Sequence, residues 1–304
     1  MDLALALVAL VAGIVLVIGA ADALVDGLLG VGRRLHISPF VLTVVLSGFE
    51  LENLAAGIAA NANGLPGAAA GTVFGGTTFL ALGVAGVGAV ISPMRSELPR
   101  RFLFWTAASP LPVLALSIDG TLSRLDGALL VAWFVVALLG VARTGRNLLD
   151  RESEERVSRP FVRLIGGLVV LTAGGALLGD GLRRVVSGLG VSDTLLGNTA
   201  VAVTVEAEEL GRVAVPARRG RPELALGNIT GTIVHFVAFN AGVIALVKPL
   251  EINQATKGLH LPAAVGATAV LCLALGVGGG LSRRTGAILA ALYLGYVAAA
   301  IALA

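Results

Sequence analysis

Ten apolar stretches of roughly 20 residues constrain this chain more than any other feature of its sequence. Wound as an α-helix, with a rise of about 1.5 Å per residue, such a stretch crosses the hydrocarbon core of a bilayer. Inside lipid every backbone polar group needs an internal partner, and a helix supplies these partners within one segment. The sequence therefore predicts an all-α, polytopic membrane protein with ten transmembrane helices. The predicted spans are 3–29, 38–62, 65–92, 101–119, 124–143, 161–187, 193–217, 223–248, 260–280 and 284–303.

The composition agrees with a membrane protein and argues against other classes. Hydrophobic residues make up 56% of the 304 residues and charged residues only 13%, about half the share found in soluble domains. The net charge of +3 comes mainly from arginines in short loops, which is a topology signal and not a nucleic-acid-binding surface. We see no pair of nucleophile and base and no metal cluster, so neither an enzyme nor a bound cofactor is expected.

The charged loops predict the orientation of the spans. The longest polar stretch, residues 143–160, follows the fifth span and is interpreted as a cytoplasmic connector between two units, 1–142 and 161–304. With the N-terminus outside, most of the loop arginines fall on the cytoplasmic side, as the positive-inside rule requires. We therefore predict a multi-pass protein of the plasma membrane with both termini outside.

The two units are related by an internal repeat. A shift of 156 residues places Glu50 on Glu206 and Pro66 on Pro222 without a gap. Each unit holds five spans, an odd number, so the second copy must insert with the opposite orientation. Two inverted five-helix repeats are typical of secondary transporters, whose substrate site lies near the bilayer midplane where the repeats meet.

Acidic residues occur in the middle of the second and seventh predicted spans. Glu50 and Asn53 lie about 17–21 Å along the second span, and Glu206 and Glu209 take equivalent positions in the seventh. The members of each pair are three residues apart and share a helix face. A charge at this depth costs roughly 2.5–3.5 kcal/mol on insertion scales, so it normally faces a protein interior or a water-filled cavity. Three carboxylates and an amide around one centre need a cation or a proton, and oxygen ligands suit a hard cation such as calcium.

Three further residues are candidates for an ion pair or a gate. Glu52 and Glu208 point roughly 100° away from the positions next to them, and Arg212 follows Glu208 by four residues. Arg212 is expected either to form a structural ion pair with Glu208 or to take the place of the cation in an empty state. A guanidinium that filled the space between Glu50 and Glu209 would disfavour calcium.

Additional oxygen ligands are expected from the spans that follow the acidic ones. The stretches "GTVFGGTTF" (71–79) and "GNITGTIVHF" (227–236) combine polar side chains with glycines, which permit close helix approach or local unwinding. The candidate ligands are Thr72, Thr77, Asn228 and Thr232. His235 is expected to be a hydrogen-bonded core residue, and Asp26 and Asp180 to be solvated at the membrane interface.

These acidic spans and the helices after them resemble the two alpha-repeats of the calcium/cation antiporter superfamily, which includes the sodium/calcium exchangers. The family pattern runs roughly G-T-S-x-P-E-L, then a small-residue helix, then A-x-G-N-x-x-G-S-N. In the second copy "GRPELALGN" (220–228) matches well, and the opening helix "GAADALVDGLLGVGRRLHISP" (19–39) is also similar. The likeness covers nearly the whole chain in span count, repeat orientation and position of the central loop.

The resemblance implies a ten-span antiporter that binds calcium and sodium alternately between the second, third, seventh and eighth helices. Matched by position, the family's calcium-ligating glutamates fall on Asn53 and Glu209, and its signature serines fall on Glu50 and Glu206. One ligand glutamate is thus an amide here, and hydroxyls of the sodium sites are replaced by carboxylates. Alternatively, a one-residue shift of the alignment puts Glu52 and Glu208 at the G-x-x-x-E spacing of the related cation/proton exchangers.

Together these features predict a secondary active cation antiporter that exchanges calcium for sodium or protons by alternating access at a midplane carboxylate site. One alternative is an antiporter for another cation, either magnesium, manganese or a monovalent cation exchanged for protons. The other is a non-transporting membrane protein of the same fold, with Arg212 as a permanent counter-ion. Inorganic cations and the lipid bilayer are the expected partners, and the chain is expected to be monomeric.

Overall fold

The structure is a computed structural model that describes residues 3–47, 51–145, 157–188 and 207–303, which form a bundle of helices with two very short strands. The helices of the first half are α1 (Leu3–Leu35), α2 (Pro39–Leu46), α3 (Leu51–Ala62), α4 (Pro66–Ile91), α5 (Arg100–Ala108), α6 (Leu111–Leu116) and α7 (Arg124–Gly145). Those of the second half are α8 (Pro160–Gly188), α9 (Ala207–Arg218), α10 (Pro222–Val247), α11 (Thr256–Gly278) and α12 (Arg283–Ala302). The strands are β1 (Thr121–Leu122) and β2 (Leu250–Glu251).

Seven of the described helices are long and apolar enough to cross a membrane, namely α1, α4, α7, α8, α10, α11 and α12. They correspond to the first, third, fifth, sixth, eighth, ninth and tenth predicted spans. The protein is therefore a largely helical, multi-pass membrane protein. The boundaries agree closely except for α1, which continues to Leu35 and not to residue 29.

The remaining three predicted spans are not continuous helices within the described residues. The second span divides into α2 and α3, with Ser47 in a turn after the end of α2. The fourth divides into α5 and α6 around Pro110, because a proline has no N–H to donate and its ring crowds the preceding turn. Of the seventh span, only the part from Ala207 onward lies within the described residues.

Helices α4 and α10 lie at the centre of the bundle. In their most apolar stretches 78% and 83% of the residues are buried, whereas no other spanning helix exceeds 39%. Both begin with a proline in the first turn, which suits a position whose N–H needs no helical partner. Both also contain wide π-helical turns, at Phe79–Val84 in α4 and at His235–Asn240 in α10. The two helices are therefore built alike, at positions related by the repeat.

The long helices α1 and α8 form an antiparallel pair at one side of this centre. Glycines let the two backbones touch, since a β-carbon on Gly167 would lie 2.8 Å from the backbone nitrogen of Leu24. Nearer the other end of the pair, a β-carbon on Gly181 would lie 2.7 Å from the backbone nitrogen of Leu10. Close backbone approach at small residues is how helices associate in lipid, where no hydrophobic force drives them together.

Two short antiparallel pairings join the first half of the chain to the second, and they are related to each other by the repeat. Leu122 pairs with Leu250 in the β1–β2 ladder, and Met94 pairs with Leu281 in an isolated antiparallel bridge. The repeat places Met94 on Leu250, and a shift of 159 residues, three more than before, places Leu122 on Leu281, so the two contacts join corresponding positions with the halves reversed. The all-α prediction missed these strands because two-residue pairings leave no periodic signal.

Two close contacts between helices of opposite halves are related by the repeat in the same way. A β-carbon on Gly127 of α7 would lie 2.6 Å from the carbonyl oxygen of Gly242 in α10. A β-carbon on Gly286 of α12 would lie 2.6 Å from the carbonyl oxygen of Gly86 in α4. The repeat relates Gly86 to Gly242, and the shift of 159 residues relates Gly127 to Gly286, so the two crossings are equivalent.

Candidate functional site

Glu209 lies in the first turn of α9 and has no exposed surface. Its Oε2 accepts a hydrogen bond from the side-chain amide of Asn228 in α10, and its Oε1 lies 3.2 Å from Nη1 of Arg212. A buried carboxylate needs a charge partner and hydrogen bonds, and Glu209 has the hydrogen bond at Oε2 and the ion pair at Oε1. The site is therefore built from α9 and α10, which carry the second copy of the acidic motif.

Arg212 connects this carboxylate to a second one on the same helix. Its side chain is 3% exposed, and its Nη2 donates to Oε1 of Glu208 at 2.9 Å. Arg212 lies four residues after Glu208 and three after Glu209, so one guanidinium reaches both carboxylates along the helix. Of the two expected arrangements, the ion pair with Glu208 is present in the structure. The contact with Glu209 also places an internal cation against the residue expected to hold the transported one.

The backbone carbonyl of Ser47 is the third component of the cluster. It accepts from Nη1 of Arg212 at 3.3 Å and from the hydroxyl of Thr232 at 3.1 Å. Ser47 follows the end of α2, and the last carbonyls of a helix have no partner within it and carry a partial negative charge. Ends of interrupted helices are a common source of cation ligands in transporters. Sequence patterns did not predict this ligand, although the Ser-Gly pair at 47–48 inside a predicted span could have indicated the interruption.

Close packing of α2 on α10 holds Ser47 in place. A β-carbon on Gly231 would lie 2.2 Å from Oγ of Ser47 and 2.7 Å from the carbonyl oxygen of Val44. The absence of a side chain at Gly231 thus lets the end of α2 reach Thr232. The predicted role of glycines, to permit close helix approach in these spans, is observed at this position.

A narrow cavity adjoins the cluster on the side of α1 and α8. Four polar residues reach it, namely Thr43, Ser47, Arg212 and Asn228. The remaining wall is apolar and is formed by Ala21, Leu24, Val25, Leu28, Leu46, Leu168, Pro216 and Leu224. The guanidinium therefore has a space beside it that is bounded by the α1–α8 pair.

The predicted ligands of the first copy are less completely described. Asn53 is buried in α3, while the hydroxyls of Thr72 and Thr77 donate to carbonyls of their own helix, those of Ala69 and Val73. Their oxygen lone pairs remain able to bind a cation. Glu50, Glu206 and the side chain of Glu52 lie outside the described residues. Within the described residues, no three His, Cys, Asp or Glu side chains form a group that could hold a metal ion.

The structure thus brings together the candidates of the second copy, namely Glu208, Glu209, Arg212, Asn228 and Thr232, around the carbonyl of Ser47. The described contacts of Thr72 and Thr77 stay apart from this cluster. His235 is buried and its Nδ1 lies 2.9 Å from the carbonyl oxygen of Gly231, so its assignment as a hydrogen-bonded core residue is confirmed.

Asp26 and Asp180 are ion-paired and not merely solvated. Asp26 of α1 accepts from Arg163 of α8 at 2.5 Å and from Arg219, which follows α9, at 2.6 Å. Asp180 pairs only with Arg184 among the described contacts, one turn along the same helix, at 2.7 Å. Asp26 therefore joins three segments near one end of the bundle, whereas the bond of Asp180 is local.

Comparisons with known proteins agree with this architecture. The sequence model of the family described as "Sodium/calcium exchanger protein" matches residues 5–142 and 159–302. The chain is 30% identical over 303 residues to the putative antiporter CaxA of Alkalimonas amylolytica, which covers 93% of this chain and 95% of that protein. It is 29% identical over 271 residues to the inner membrane protein YrbG of Escherichia coli K12, with 82% of each chain covered. A structure of the sodium-calcium exchanger NCX_Mj superimposes with a TM-score of 0.83 at 23% identity, over 98% of this chain and 99% of that one, so the fold is shared.

Proposed function

Because the chain belongs to the sodium/calcium exchanger protein family, we propose that it is a secondary cation antiporter that works by alternating access. In this proposal residues 1–142 and 161–304 are two inverted five-span repeats joined by the connector 143–160, and the cation site lies where they meet. The paired contacts that exchange the two halves of the chain support this arrangement.

The observation that carries the proposal is the burial of Glu209 in a cluster of oxygen ligands at the end of an interrupted helix. A carboxylate that is 0% exposed within a membrane-embedded bundle needs a positive partner wherever the protein moves it. The proposed ligands from the described cluster are Glu209, the Asn228 amide oxygen, the Thr232 hydroxyl and the Ser47 carbonyl. Glu50, Asn53, Thr72, Thr77 and Glu206 are proposed to complete the site.

Calcium exchanged for sodium or protons is the transport reaction that this ligand set suits best. Calcium takes six to eight oxygen ligands, and carboxylates together with backbone carbonyls are the kinds it prefers. The coupling ion neutralises the same carboxylates, so the two kinds of ion exclude each other from the site. Reorientation of a neutralised site then carries one ion in each direction.

One observation favours a second candidate, a monovalent cation exchanged for protons. Arg212 contacts both Glu208 and Glu209, so these three side chains together leave one negative charge when all are ionised. A single sodium ion or proton balances that charge, whereas calcium also requires carboxylates from the first copy or displacement of the guanidinium.

Flux measurements in proteoliposomes test the proposal. The purified protein is reconstituted, and uptake of radioactive calcium driven by an outward sodium gradient is measured. Uptake driven by a pH gradient is measured separately. Calcium uptake that needs one of these gradients supports calcium exchange and identifies the coupling ion. Sodium–proton exchange with no calcium flux supports the second candidate, and the absence of all of these fluxes contradicts the antiporter.

Substitutions at one buried and one exposed glutamate connect the flux to the site. Glu209→Gln is expected to abolish exchange, since the amide keeps the shape of the side chain but removes its charge. Glu251→Gln, at an exposed position in β2, is the matched control and is expected to exchange at the wild-type rate. Unchanged exchange by Glu209→Gln would remove the proposed site.

A further inference from the structure

We propose that Arg212 is a tethered counter-ion, which occupies the cation site and is displaced from it by the transported ion. This inference rests on the proposed function and adds a role for a residue that is not part of the family's motif.

The guanidinium contacts two oxygens that a bound cation would use. Its Nη1 lies 3.2 Å from Oε1 of Glu209 and 3.3 Å from the carbonyl oxygen of Ser47. A sodium or calcium ion bound to these oxygens would lie within a few ångströms of the guanidinium, where two positive charges repel strongly in a low-dielectric interior. The transported ion and the guanidinium therefore bind Glu209 in turn and not together.

Glu208 provides the alternative position for the displaced side chain. It holds Nη2 at 2.9 Å, and the two carboxylates face different helices. Glu209 is bonded to Asn228 of α10, whereas Oε2 of Glu208 would lie 3.1 Å from a β-carbon on Gly175 of α8. A shift toward α8 thus takes Arg212 away from Glu209 while its bond to Glu208 is kept.

A cavity lies beside Arg212. Its wall includes Leu168 of α8 and Leu24 of α1, together with Pro216 on the helix of Arg212 itself. The long arginine side chain can rotate about several bonds, so the movement needs no change in the backbone of α9. The structure therefore contains both the occupied position and the space next to it.

Such a counter-ion sets the cation concentration at which the site fills. When the guanidinium occupies the ligands for most of the time, the apparent affinity for the ion is the intrinsic affinity multiplied by the fraction of molecules in which the ligands are open. It also keeps Glu209 paired when no ion is bound. Removal of the arginine is expected to tighten cation binding, which is the opposite of what loss of a structural residue would do.

Equilibrium binding of radioactive calcium and sodium to the purified full-length protein tests this role. Arg212→Gln is expected to bind the transported ion about tenfold more tightly than wild type, because the competitor is absent. Arg212→Lys keeps a positive charge and is expected to stay within about threefold of wild type. The matched control is Arg218→Gln, an exposed arginine on the same helix, which is expected to bind as wild type does.

Glu208→Gln tests whether Glu208 holds the displaced guanidinium, while the arginine itself is retained. This variant tests the counter-ion role even when Arg212→Gln fails to fold. It is expected to weaken binding of the ion about tenfold, since the displaced guanidinium then loses its carboxylate. Binding that is unchanged or weaker in a folded Arg212→Gln, or unchanged or tighter in Glu208→Gln, overturns the inference. Absence of binding in every variant, including wild type and Arg218→Gln, instead contradicts the proposed function.

Discussion

Gly231 lies so close to Ser47 that a β-carbon on the glycine would be 2.2 Å from the hydroxyl oxygen of the serine. The contact is between the middle of α10 and the end of α2, and it brings the Ser47 carbonyl within reach of both Thr232 and Arg212. The proposed cation ligand, the Ser47 carbonyl, therefore reaches the cluster because Gly231 has no β-carbon.

Substitution of Gly231 by alanine is expected to separate α2 from α10. Overpacking of this kind costs about 1–3 kcal/mol, and it moves the Ser47 carbonyl away from the cluster. We expect a lower unfolding temperature of the purified protein and at least about tenfold slower exchange in proteoliposomes. Gly166→Ala in α8 is the control, because no atom lies within 4 Å of its β-carbon position, and wild-type behaviour is expected. Wild-type exchange in both variants would argue against a role for the contact.

Replacement of Asn228 by leucine is expected to impair cation binding by disturbing Glu209. The substitution keeps the approximate size of the side chain but removes the donor to Oε2, and a buried acceptor without its donor costs about 1–3 kcal/mol. We expect an apparent cation affinity at least about tenfold weaker, measured from the concentration dependence of exchange.

Asn61→Leu is the matched control for this substitution. Asn61 is also a buried asparagine, but it donates at 2.7 Å to the backbone carbonyl of Lys248 and not to a carboxylate. Its loss is expected to lower the unfolding temperature without changing the apparent affinity. Equal effects of the two substitutions on affinity would show that Asn228 acts through stability alone.

Asp26→Asn is expected to loosen the α1–α8 pair from α9 at one end of the bundle. The carboxylate bonds to Arg163 and Arg219, so its neutralisation weakens two connections at once. In a background with Cys272→Ser, the thiol of Leu28→Cys reports opening of the cavity through its rate of alkylation. Exposed pairs contribute at most about 1 kcal/mol each, and two of them together correspond to a factor of about 30, so we expect that rate to rise by up to about thirtyfold.

Asp180→Asn distinguishes this effect from a general loss of charge. The partner of Asp180, Arg184, lies on the same helix, and the pair is at least as exposed as that of Asp26. We expect no change in the alkylation rate at position 28. A similar rate increase in both variants would mean that Asp26 does not act as a link between helices.

Gly127→Ala and Gly286→Ala are expected to destabilise the protein by similar amounts. Each new methyl group would meet a backbone carbonyl oxygen 2.6 Å away, that of Gly242 in one case and Gly86 in the other. We expect a cost of about 1–3 kcal/mol in both, measured as the shift in unfolding temperature. Gly295→Ala, with open space around its β-carbon, serves as the control. A loss confined to one of the two crossings would contradict their equivalence in an inverted repeat.

Much of the fold could be predicted from the sequence because it depends on quantities local to each segment. Apolar length alone locates the seven continuous spanning helices. Their predicted ends lie within a few residues of the observed ends, except at the end of α1. Helical spacing alone predicted the pairing of Arg212 with Glu208, since residues four apart meet on one helix face. The interruption after Leu46 was not predicted, because apolar content is as high in a divided span as in a continuous one.

By itself the sequence determined that this protein spans a membrane, that its two halves carry a repeated motif, and that acidic residues occur inside apolar stretches. Only the tertiary structure decided that Glu209 bonds to Asn228 nineteen residues further on, and that the carbonyl of Ser47 joins them. The physical reason is that hydrophobicity and periodicity are properties of one segment. A shared cluster depends on how helices cross, and a backbone carbonyl, which every residue has, becomes a ligand only where a helix ends beside a charge.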